Sequence, residues 1–388
     1  MKVEQFFSQF LMDDCRLFST ILLAVLVGLL LIQLLHYFIS YGRMRGHRNP
    51  APDTATRQAG LSVIVPLHEA DYGFLNERLP ALLSQRLEEY QVVVVDLTGD
   101  KEIADQFELM KVKWGERLTT TRMRIDKSLH ILTKMALNVG IKAARYDQLL
   151  FTLSDCMPRT EHWAEVMVKG FAGKDVVIGY SSILPTKGIS NRLVRCANMA
   201  LASRWLSAAM RHRPYRGVLC NLGFRKSLYL NARGFNFLNI DMGEDDLFVM
   251  KIANKRNTSV VVGGSATIGQ RAWGGLGWWF GRRMKLSYPF RYYPARVKWG
   301  TGLELWSRAL FFLAAIMVAI FLPLPSKIVA LSCVVLRYII IWWLMKCVAR
   351  RLSERGFMSV YWIYDLVAPV VEAVLAIRRR MVPLHKWR

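Results

Sequence analysis

Three long runs of apolar residues interrupt an otherwise mixed pattern of hydrophobic and polar positions. The first covers residues 17–40 and contains no Asp, Glu, Lys or Arg. Two more, at 303–324 and 327–348, are joined by a short Pro-Leu-Pro-Ser link. Each run is long enough to cross the hydrocarbon layer of a bilayer as a helix. The pattern therefore predicts an N-terminal transmembrane anchor at 1–45 and a transmembrane hairpin at 301–348.

Basic residues beside these runs predict the orientation, because cytoplasmic flanks of membrane helices carry an excess of Lys and Arg. One basic cluster follows the first run and another follows the hairpin, so the region 41–302 and the loop 349–356 are both placed in the cytoplasm. We expect a multi-pass protein of a bacterial inner (plasma) membrane. The two clusters are Arg43, Arg45, His47 and Arg48, and Lys346, Arg350, Arg351 and Arg355.

A fourth apolar run, at 357–377, is ambiguous because it contains Asp365, Pro369 and Glu372. A full crossing would export the basic tail at 378–388, against the positive-inside rule. We therefore expect the region 349–388 to form a basic loop followed by an interfacial or re-entrant helix, with its basic end on anionic lipid. Whether this run crosses the bilayer stays open at the sequence level.

Between the membrane segments, short apolar runs alternate with helical stretches. A polar segment at 46–60 contains Pro and Gly and is interpreted as a linker. The rhythm of the region 61–300 predicts an α/β domain whose sheet is mostly parallel, with right-handed crossovers. The strand-like segments are Leu61–Pro66, Gln91–Asp96, 118–125, 148–153 and Val176–Ser181, and the helical segments are 73–88, 101–114, 131–145, 160–171 and 188–211.

The net charge of +24 over 388 residues indicates an anionic partner. The basic residues concentrate beside the membrane runs and at 271–298, where they are interleaved with Trp and Tyr, a pattern typical of a membrane interface. We favour membrane lipids over nucleic acid; a membrane-anchored nucleic-acid binder is the alternative and leaves the acidic motifs below unexplained. The six cysteines show no CxxC spacing, so neither a disulfide framework nor a zinc site is indicated.

Two acids follow predicted strands at the sheet edge where open α/β domains bind ligands. Asp155 ends the run Gln-Leu-Leu-Phe-Thr-Leu-Ser-Asp-Cys-Met-Pro at 148–158 and could meet a metal ion or a phosphate-bound metal. Asp96 ends the second strand and could accept a hydrogen bond from a nucleotide base or ribose. Either acid could instead be a turn residue, since Thr98-Gly99-Asp100 follows Asp96 and has turn composition.

Two further segments carry candidate chemistry. Glu244, Asp245 and Asp246 are adjacent carboxylates that repel one another, and one of them could remove a proton from an attacking hydroxyl; alternatively they favour a helix N-terminus. Arg282 and Arg283, in Trp-Trp-Phe-Gly-Arg-Arg-Met-Lys at 278–285, could stabilise a leaving diphosphate. This second segment could equally be an amphipathic interface helix.

The order of these motifs resembles the membrane-anchored bacterial family-2 glycosyltransferases, which have the GT-A fold. The resemblance covers about 61–290 and implies a nucleotide-diphospho-sugar transferase domain. Its motifs are Val-Ile-Val-Pro-Leu-His-Glu-Ala (63–70), Val-Val-Val-Val-Asp (92–96), Lys-Met-Ala-Leu-Asn-Val-Gly (134–140), Phe-Thr-Leu-Ser-Asp-Cys-Met-Pro (151–158), Asn-Leu-Gly-Phe-Arg-Lys (221–226) and Gly-Glu-Asp-Asp-Leu-Phe (243–248).

The resemblance implies an inverting transfer of a sugar from a nucleotide-sugar donor to a lipid-linked or saccharide acceptor, and the Trp- and Arg-rich stretch at 273–298, which leads into the membrane hairpin, favours a lipid-linked one. Because three or four crossings are too few to form a wide polymer channel, we expect a single-sugar transferase rather than a processive synthase. The resemblance also implies Mg²⁺ or Mn²⁺ at Asp155, and a general base at Asp245, with Glu244 and Asp246 as rivals. The implied donor-binding residues are Glu69, Asp96, Lys134, Asp155, Arg282 and Arg283.

Three positions depart from the family pattern. Leu153 replaces the first Asp of the Asp-x-Asp metal motif, and Gly281 and Met284 replace the Gln and Arg of a Gln-x-x-Arg-type motif. The segment Gln270-Arg271-Ala-Trp273 lies upstream and could substitute for the second motif. These departures leave an alternative open, in which the chain is a catalytically reduced homologue that serves as a membrane scaffold in polysaccharide assembly.

Overall fold

The computed structural model describes residues 2–51, 59–123, 132–237 and 243–381. Residues 52–58 of the predicted linker and the last seven residues, with Lys386-Trp387-Arg388, lie outside these ranges. The strands are β1 Leu61–Leu67, β2 Tyr90–Asp96, β3 Leu118–Arg122, β4 Gln148–Phe151, β5 Cys156–Pro158, β6 Val176–Gly179, β7 Ser181–Ile183, β8 Leu222–Arg225, β9 Thr258–Val261 and β10 Ile268–Gln270.

The helices alternate with these strands and then continue alone to the C-terminus. A π-helical turn, Phe74–Arg78, leads directly into the second helix. The helices are α1 Lys2–Gly46, α2 Leu79–Leu83, α3 Lys101–Trp114, α4 Leu132–Ala143, α5 Trp163–Val168, α6 Ile189–Met210, α7 Lys226–Asn231, α8 Asp246–Ile252, α9 Leu276–Ser287, α10 Ala295–Phe321, α11 Leu324–Arg351 and α12 Tyr361–Met381.

The main sheet has seven strands in the order β3-β2-β1-β4-β8-β6-β9. The first four strands are parallel, and β8 runs antiparallel to both of its neighbours. Every residue of β1 and β2 is buried, as their continuous apolar composition requires for strands covered on both faces. The α/β fold class with a mostly parallel sheet, predicted from the sequence, is therefore confirmed.

Most of the predicted elements of the α/β domain occur where the sequence places them, with shifted ends. The predicted helix at 73–88 is shorter in the structure, because its π-helical turn and α2 together end at Leu83. The predicted helix at 160–171 begins only at Trp163 and finishes as a 3-10 turn. The strand predicted at 148–153 ends at Phe151, so the segment before Asp155 leaves the sheet and turns.

The described part of the chain contains four helical segments long and apolar enough to cross a membrane. They are Arg16–Gly46, Ala295–Phe321, Leu324–Arg351 and Met358–Met381. Their outward faces are exposed and apolar, as at Leu35 and Ile320, while their inward faces pack on one another. This arrangement is consistent with membrane association.

The loop before α12 and the last turn of α12 both contact the α/β domain. Just before the helix, Glu354 accepts hydrogen bonds from Arg195 at 2.8 Å and from Tyr180 at 2.9 Å. In its last turn, Arg379 donates a hydrogen bond to the carbonyl oxygen of Ser287 at 3.1 Å. A helix of 21 residues is about 32 Å long. The helix therefore extends along the domain instead of leading away from it.

Candidate active site

The carboxyl ends of β1 and β4 border a cavity of about 470 Å³, which we name the strand-end cavity. In a parallel sheet, the loops that follow the strands all lie at this edge, and such edges are where open α/β sheets bind ligands. Two of the residues predicted from the sequence, Glu69 and Asp155, lie in its wall. The lining residues are Pro66, His68, Glu69, Ala70, Asp71, Tyr72, Leu153, Ser154, Asp155, Arg271 and Trp273.

Asp155 is held by residues that follow it and by the distant strand β10. The side-chain amide of Gln270 donates a hydrogen bond to Asp155 Oδ2 at 2.8 Å, and the backbone N–H of Arg271 donates to the Asp155 carbonyl oxygen at 2.9 Å. The Cys156 thiol lies 3.4 Å from Asp155 Oδ1. The segment that the sequence singled out at 270–273 therefore meets the metal motif directly.

The loop before Asp155 is fixed by Arg78, a residue that the sequence did not single out. The Arg78 side chain is buried, its Nε donates to the Ser154 carbonyl oxygen at 2.7 Å, and its Nη2 pairs with Asp71 at 2.5 Å. Asp71 lies in the loop after β1 and lines the cavity. Arg78 thus ties the two loops of the cavity together and limits the positions that Asp155 can adopt.

Glu244 lies near Lys134, which is buried at the start of α4. Burial raises the pKa of Glu244 to about 8, with a further contribution from the charge of Asp245, and the ammonium of Lys134 opposes this shift. Glu244 Oε2 is buried and has no hydrogen-bond partner among the described residues. The neighbouring Thr133 lies 3.4 Å from His68 of the strand-end cavity, which brings the start of α4 close to that site.

Asp245 and Asp246 stand at the N-terminus of α8 and differ in their surroundings. Asp246 accepts hydrogen bonds from the Tyr293 hydroxyl at 2.6 Å and from the backbone N–H of Leu247 at 2.8 Å, so both of its oxygens are engaged. Asp245 caps the helix by accepting from the Asp246 N–H. Burial and the nearby charge of Asp246 raise the pKa of Asp245 to about 6. Asp245 is therefore the carboxylate suited to exchange a proton near neutral pH.

Asp96 lies at the end of β2 with its carboxylate directed into its own loop. Its Oδ1 accepts hydrogen bonds from the Thr98 N–H at 2.9 Å and the Thr98 hydroxyl at 2.7 Å, and its Oδ2 lies 3.5 Å from Arg122 Nε. This is the turn geometry that Thr98-Gly99-Asp100 favours. Asp96 is absent from the lining of the strand-end cavity, so its nucleotide-binding role stays a prediction.

The two arginines of α9 have different partners. A hydrogen bond with Cys156 lowers the pKa of the buried Cys220 thiol, and Arg282 lowers it further, which places Arg282 beside Cys220, the partner of the cysteine that follows Asp155. Arg283 is buried and pairs with Glu372 of α12 at 2.5 Å. Arg282 therefore lies on the side of the strand-end cavity, whereas Arg283 is paired with a carboxylate of the last helix. A diphosphate-binding role for either arginine stays a prediction.

The donor set at Asp155 fits a divalent metal only in part. Within the ranges that the structure describes, no group of three or more His, Cys, Asp or Glu side chains could hold a metal ion. The partly buried Leu153 occupies the position of the missing first acid. Because Mg²⁺ is commonly held by one or two carboxylates together with substrate phosphates, Asp155 could serve as the single protein ligand once a diphosphate is bound.

Comparison of the fold with solved structures identifies glycosyltransferases. The mannosyltransferase PcManGT from Pyrobaculum calidifontis, solved with GDP-Man and Mn²⁺, matches with a TM-score of 0.54 and 15% identity over 90% of this chain and 99% of that chain. No protein-family model and no curated protein matches the sequence. At this identity the likeness shows the fold alone, and the glycosyltransferase fold expected from the motifs is confirmed.

Two further solved structures show weaker similarity. S. aureus TarS 1–349 matches with a TM-score of 0.41 and 16% identity over 81% of this chain and 90% of that chain. GalNAc-T7, solved with UDP, GalNAc and Mn²⁺, matches with a TM-score of 0.40 and 12% identity over 55% of this chain and 43% of that chain.

Proposed function

We propose that this chain is a membrane-bound, inverting glycosyltransferase of the hexosyltransferase type, acting in cell-envelope glycan synthesis. It transfers one sugar from a nucleotide-diphosphate donor to a lipid-linked or saccharide acceptor. The observation that carries the proposal is the cavity at the carboxyl ends of β1 and β4, lined by Glu69 and Asp155, in a chain with a glycosyltransferase fold.

The nucleotide-sugar donor occupies the strand-end cavity in this proposal. Asp155 would be the protein ligand of Mg²⁺ or Mn²⁺, and the metal, when bound, would neutralise charge on the leaving diphosphate. The hydrogen bond from Gln270 holds the Asp155 carboxylate in a fixed direction before the donor arrives. Arg282, beside Cys220, adds positive charge on the same side. Lys134, Glu69 and Asp96 complete the proposed donor-binding set.

Asp245 is the proposed general base. The acceptor hydroxyl oxygen attacks the anomeric carbon, the bond from that carbon to the diphosphate breaks, and the hydroxyl proton passes to the Asp245 carboxylate. A pKa of about 6 leaves Asp245 ionised at pH 7 yet still basic. Glu244, with a pKa of about 8, is protonated at that pH, and Asp246 is engaged by Tyr293. A single displacement of this kind inverts the configuration of the sugar carbon.

The proposed orientation of the chain in the membrane is the one predicted from the sequence. The α/β domain at 61–300 faces the cytoplasm of a bacterial inner membrane, anchored by 1–45 through the linker 46–60, and by the hairpin 301–348. The contacts that the domain makes with the loop before α12 and with the last turn of α12 support an interfacial or re-entrant position for the helix in 349–388. A helix that crossed the bilayer would carry one end about 30 Å away from the cytoplasmic face.

A donor screen tests the proposed activity. The full chain in nanodiscs, supplied with Mn²⁺ and membrane lipid extract, is incubated with UDP-, GDP- and dTDP-linked hexoses, and released nucleoside diphosphate is measured. We expect release from at least one donor and its loss in Asp245→Asn, but not in the exposed-residue control Asp105→Asn. Absence of release from every donor would contradict the proposal.

One observation favours the second candidate, a catalytically reduced scaffold. Leu153 removes one metal ligand, and the hydrogen bond from Gln270 already engages one oxygen of Asp155. A scaffold of this kind predicts donor binding without turnover, or no donor binding. An unchanged cellular phenotype in Asp245→Asn would favour it over the enzyme.

A further inference from the structure

A second cavity, of about 460 Å³, lies where the α/β domain meets α10 and α12, and we name it the interface cavity. Helices α6 and α9 and the segment Tyr215–Arg216 form one wall, and α10 and α12 form the other. Most of the lining is apolar, including Leu201, Trp205 and Phe290. Such a volume is in the range that proteins use for small ligands.

The charged residues of this wall are mostly basic. Five basic side chains line the cavity and only one acid does, so an anion is the favoured occupant. Four of the five already have partners: Arg204 and Arg283 pair with carboxylates, and Lys298 and Arg379 donate to backbone carbonyl oxygens. The charged lining residues are Arg204, Arg216, Arg283, Lys298, Arg379 and Glu372.

Arg216 differs from the other four. Only 5% of its surface is exposed, and its Nε and Nη2 atoms are buried without a hydrogen-bond partner among the described residues. The guanidinium lies 4.7 Å from the ring centroid of Trp205, which fixes its plane. Leaving such donors unpaired is costly, and a guanidinium fork matches two oxygens of a phosphate. A phosphate in the interface cavity would supply the missing acceptors.

The interface cavity also borders the acidic motif that contains the proposed general base. Tyr293 lines it and donates to Asp246 at 2.6 Å, and the charges of Asp245 and Asp246 both act on Arg216. A headgroup held at Arg216 would therefore stand beside the carboxylate that is proposed to deprotonate the acceptor.

The outer wall of the cavity continues onto the face of the apolar helices. Trp306 of α10 and Val370 of α12 both line the cavity, with exposed fractions of 70% and 63%. These residues belong to segments long and apolar enough to lie in a membrane. A ligand with a phosphate at one end and a hydrocarbon chain at the other would match both parts of the site.

We propose that the interface cavity binds a phosphorylated lipid, with its phosphate on Arg216 and its chain along α10 and α12. The identification of this lipid as the sugar acceptor, or as its carrier, rests on the proposed function; the binding itself does not. The chemistry commits to a lipid over free phosphate because Trp306 and Val370 continue the cavity onto faces that can lie in a membrane, where a hydrocarbon chain but not free phosphate is accommodated.

Three probes separate the parts of the ligand: farnesyl phosphate, farnesol with the same chain, and inorganic phosphate with the same headgroup. Binding to the full chain in detergent is followed by native mass spectrometry. We expect farnesyl phosphate to bind at least about tenfold more tightly than farnesol, and inorganic phosphate in excess not to displace it. Equal binding of farnesol, or displacement by inorganic phosphate, would overturn the proposal.

Two variants locate the site. Arg216→Lys keeps the charge but removes the fork, and Gly302→Trp fills the cavity from α10, where the β-carbon has only Trp306 within 4 Å. Both should weaken farnesyl phosphate binding at least about tenfold, while the exposed-arginine control Arg192→Lys should not. Wild-type binding in Gly302→Trp would overturn the proposal even if Arg216→Lys does not fold.

The binding result and the activity result can be told apart. Phosphorylated-lipid binding that depends on Arg216, combined with no release of nucleoside diphosphate, would leave the lipid site in place and refute the glycosyltransferase. Donor turnover without phosphorylated-lipid binding would refute the lipid site alone.

Discussion

Arg337 Nη1 donates a hydrogen bond to Asp365 Oδ2 at 2.6 Å, and both side chains are completely buried between the apolar helices. Arg337 Nε also donates to Gln33 at 2.7 Å, and Gln33 donates to the Ser307 carbonyl oxygen at 3.1 Å. These bonds join α1, α10, α11 and α12. The acid that made the fourth apolar run ambiguous in the sequence is therefore the partner of a buried arginine on a neighbouring helix.

Removal of one member of this pair should destabilise the membrane region. We expect Asp365→Ala to lower the free energy of unfolding by about 3–5 kcal/mol, because Arg337 would remain buried without its counter-ion. The double variant Asp365→Leu/Arg337→Met should recover most of this loss. Thermal unfolding in detergent measures both, with the exposed Glu108→Ala as control. Equal melting temperatures for Asp365→Ala and the wild type would contradict the pairing.

The proposed general base predicts a pH profile for sugar transfer. Asp245, with a pKa of about 6, loses its ability to accept a proton as the pH falls through that value, so the rate should fall on the acid side of pH 6. Asp245→Asn should reduce the rate by about 10²–10⁴ and abolish this acid limb. Steady-state rates between pH 5 and 9 give the test. A profile that is identical in the variant would exclude Asp245 as the base.

Glu244 predicts a pH dependence of stability. Because its pKa is raised to about 8, the folded state holds this proton more tightly than the unfolded state. The resulting stabilisation is complete below the ordinary value of 4.5 and disappears as the pH rises through 8. Glu244→Gln does not titrate, so its stability relative to the wild type should rise between pH 5 and pH 9 by a few kcal/mol at most, on the order given by linkage. If the melting temperature of Glu244→Gln changes with pH in the same way as those of the wild type and of Glu108→Gln, the raised pKa of Glu244 would be contradicted.

Two helical glycines form a matched pair that tests the packing of α4 on the sheet. A β-carbon at Gly140 would lie 2.5 Å from Ile64 Cγ2 in β1, whereas a β-carbon at Gly281 in α9 would have no atom within 4 Å. We expect Gly140→Ala to cost about 1–3 kcal/mol through overpacking. Gly281→Ala should be neutral or gain up to about 1 kcal/mol from helix propensity. Thermal unfolding of the two variants checks this prediction. An equal effect at both sites would contradict the close packing of α4 against β1.

The sequence was most informative where burial acts on both faces of an element. β1 and β2 were predicted because a continuous apolar run is typical of a strand that is buried on both faces. The strands β5, β7 and β10 have three residues each and carry no period that a sequence could reveal. Their sheet forms from segments that lie far apart in the chain, and only tertiary contacts define it.

The candidate site shows the same limit. Asp155 could be predicted because strand ends collect site residues. Glu69 was predicted through the family resemblance of the motif at 63–70, and Gln270 through the motif at 270–273. The contact from Gln270 to Asp155 spans 115 positions and follows from the pairing of β10 with β5. Arg216 carried no signal in the sequence, since its isolation from hydrogen-bond acceptors becomes visible only in the folded chain.

Donor binding at Asp155 is the central step of the proposed function, and calorimetric titration measures it most directly. The full chain in nanodiscs is titrated with UDP-, GDP- and dTDP-linked hexoses in excess Mn²⁺. We predict saturable binding of at least one donor to the wild type and to Asp105→Asn, and binding at least about tenfold weaker in Asp155→Asn. Absence of binding for every donor, or equal affinity in Asp155→Asn, would contradict the account.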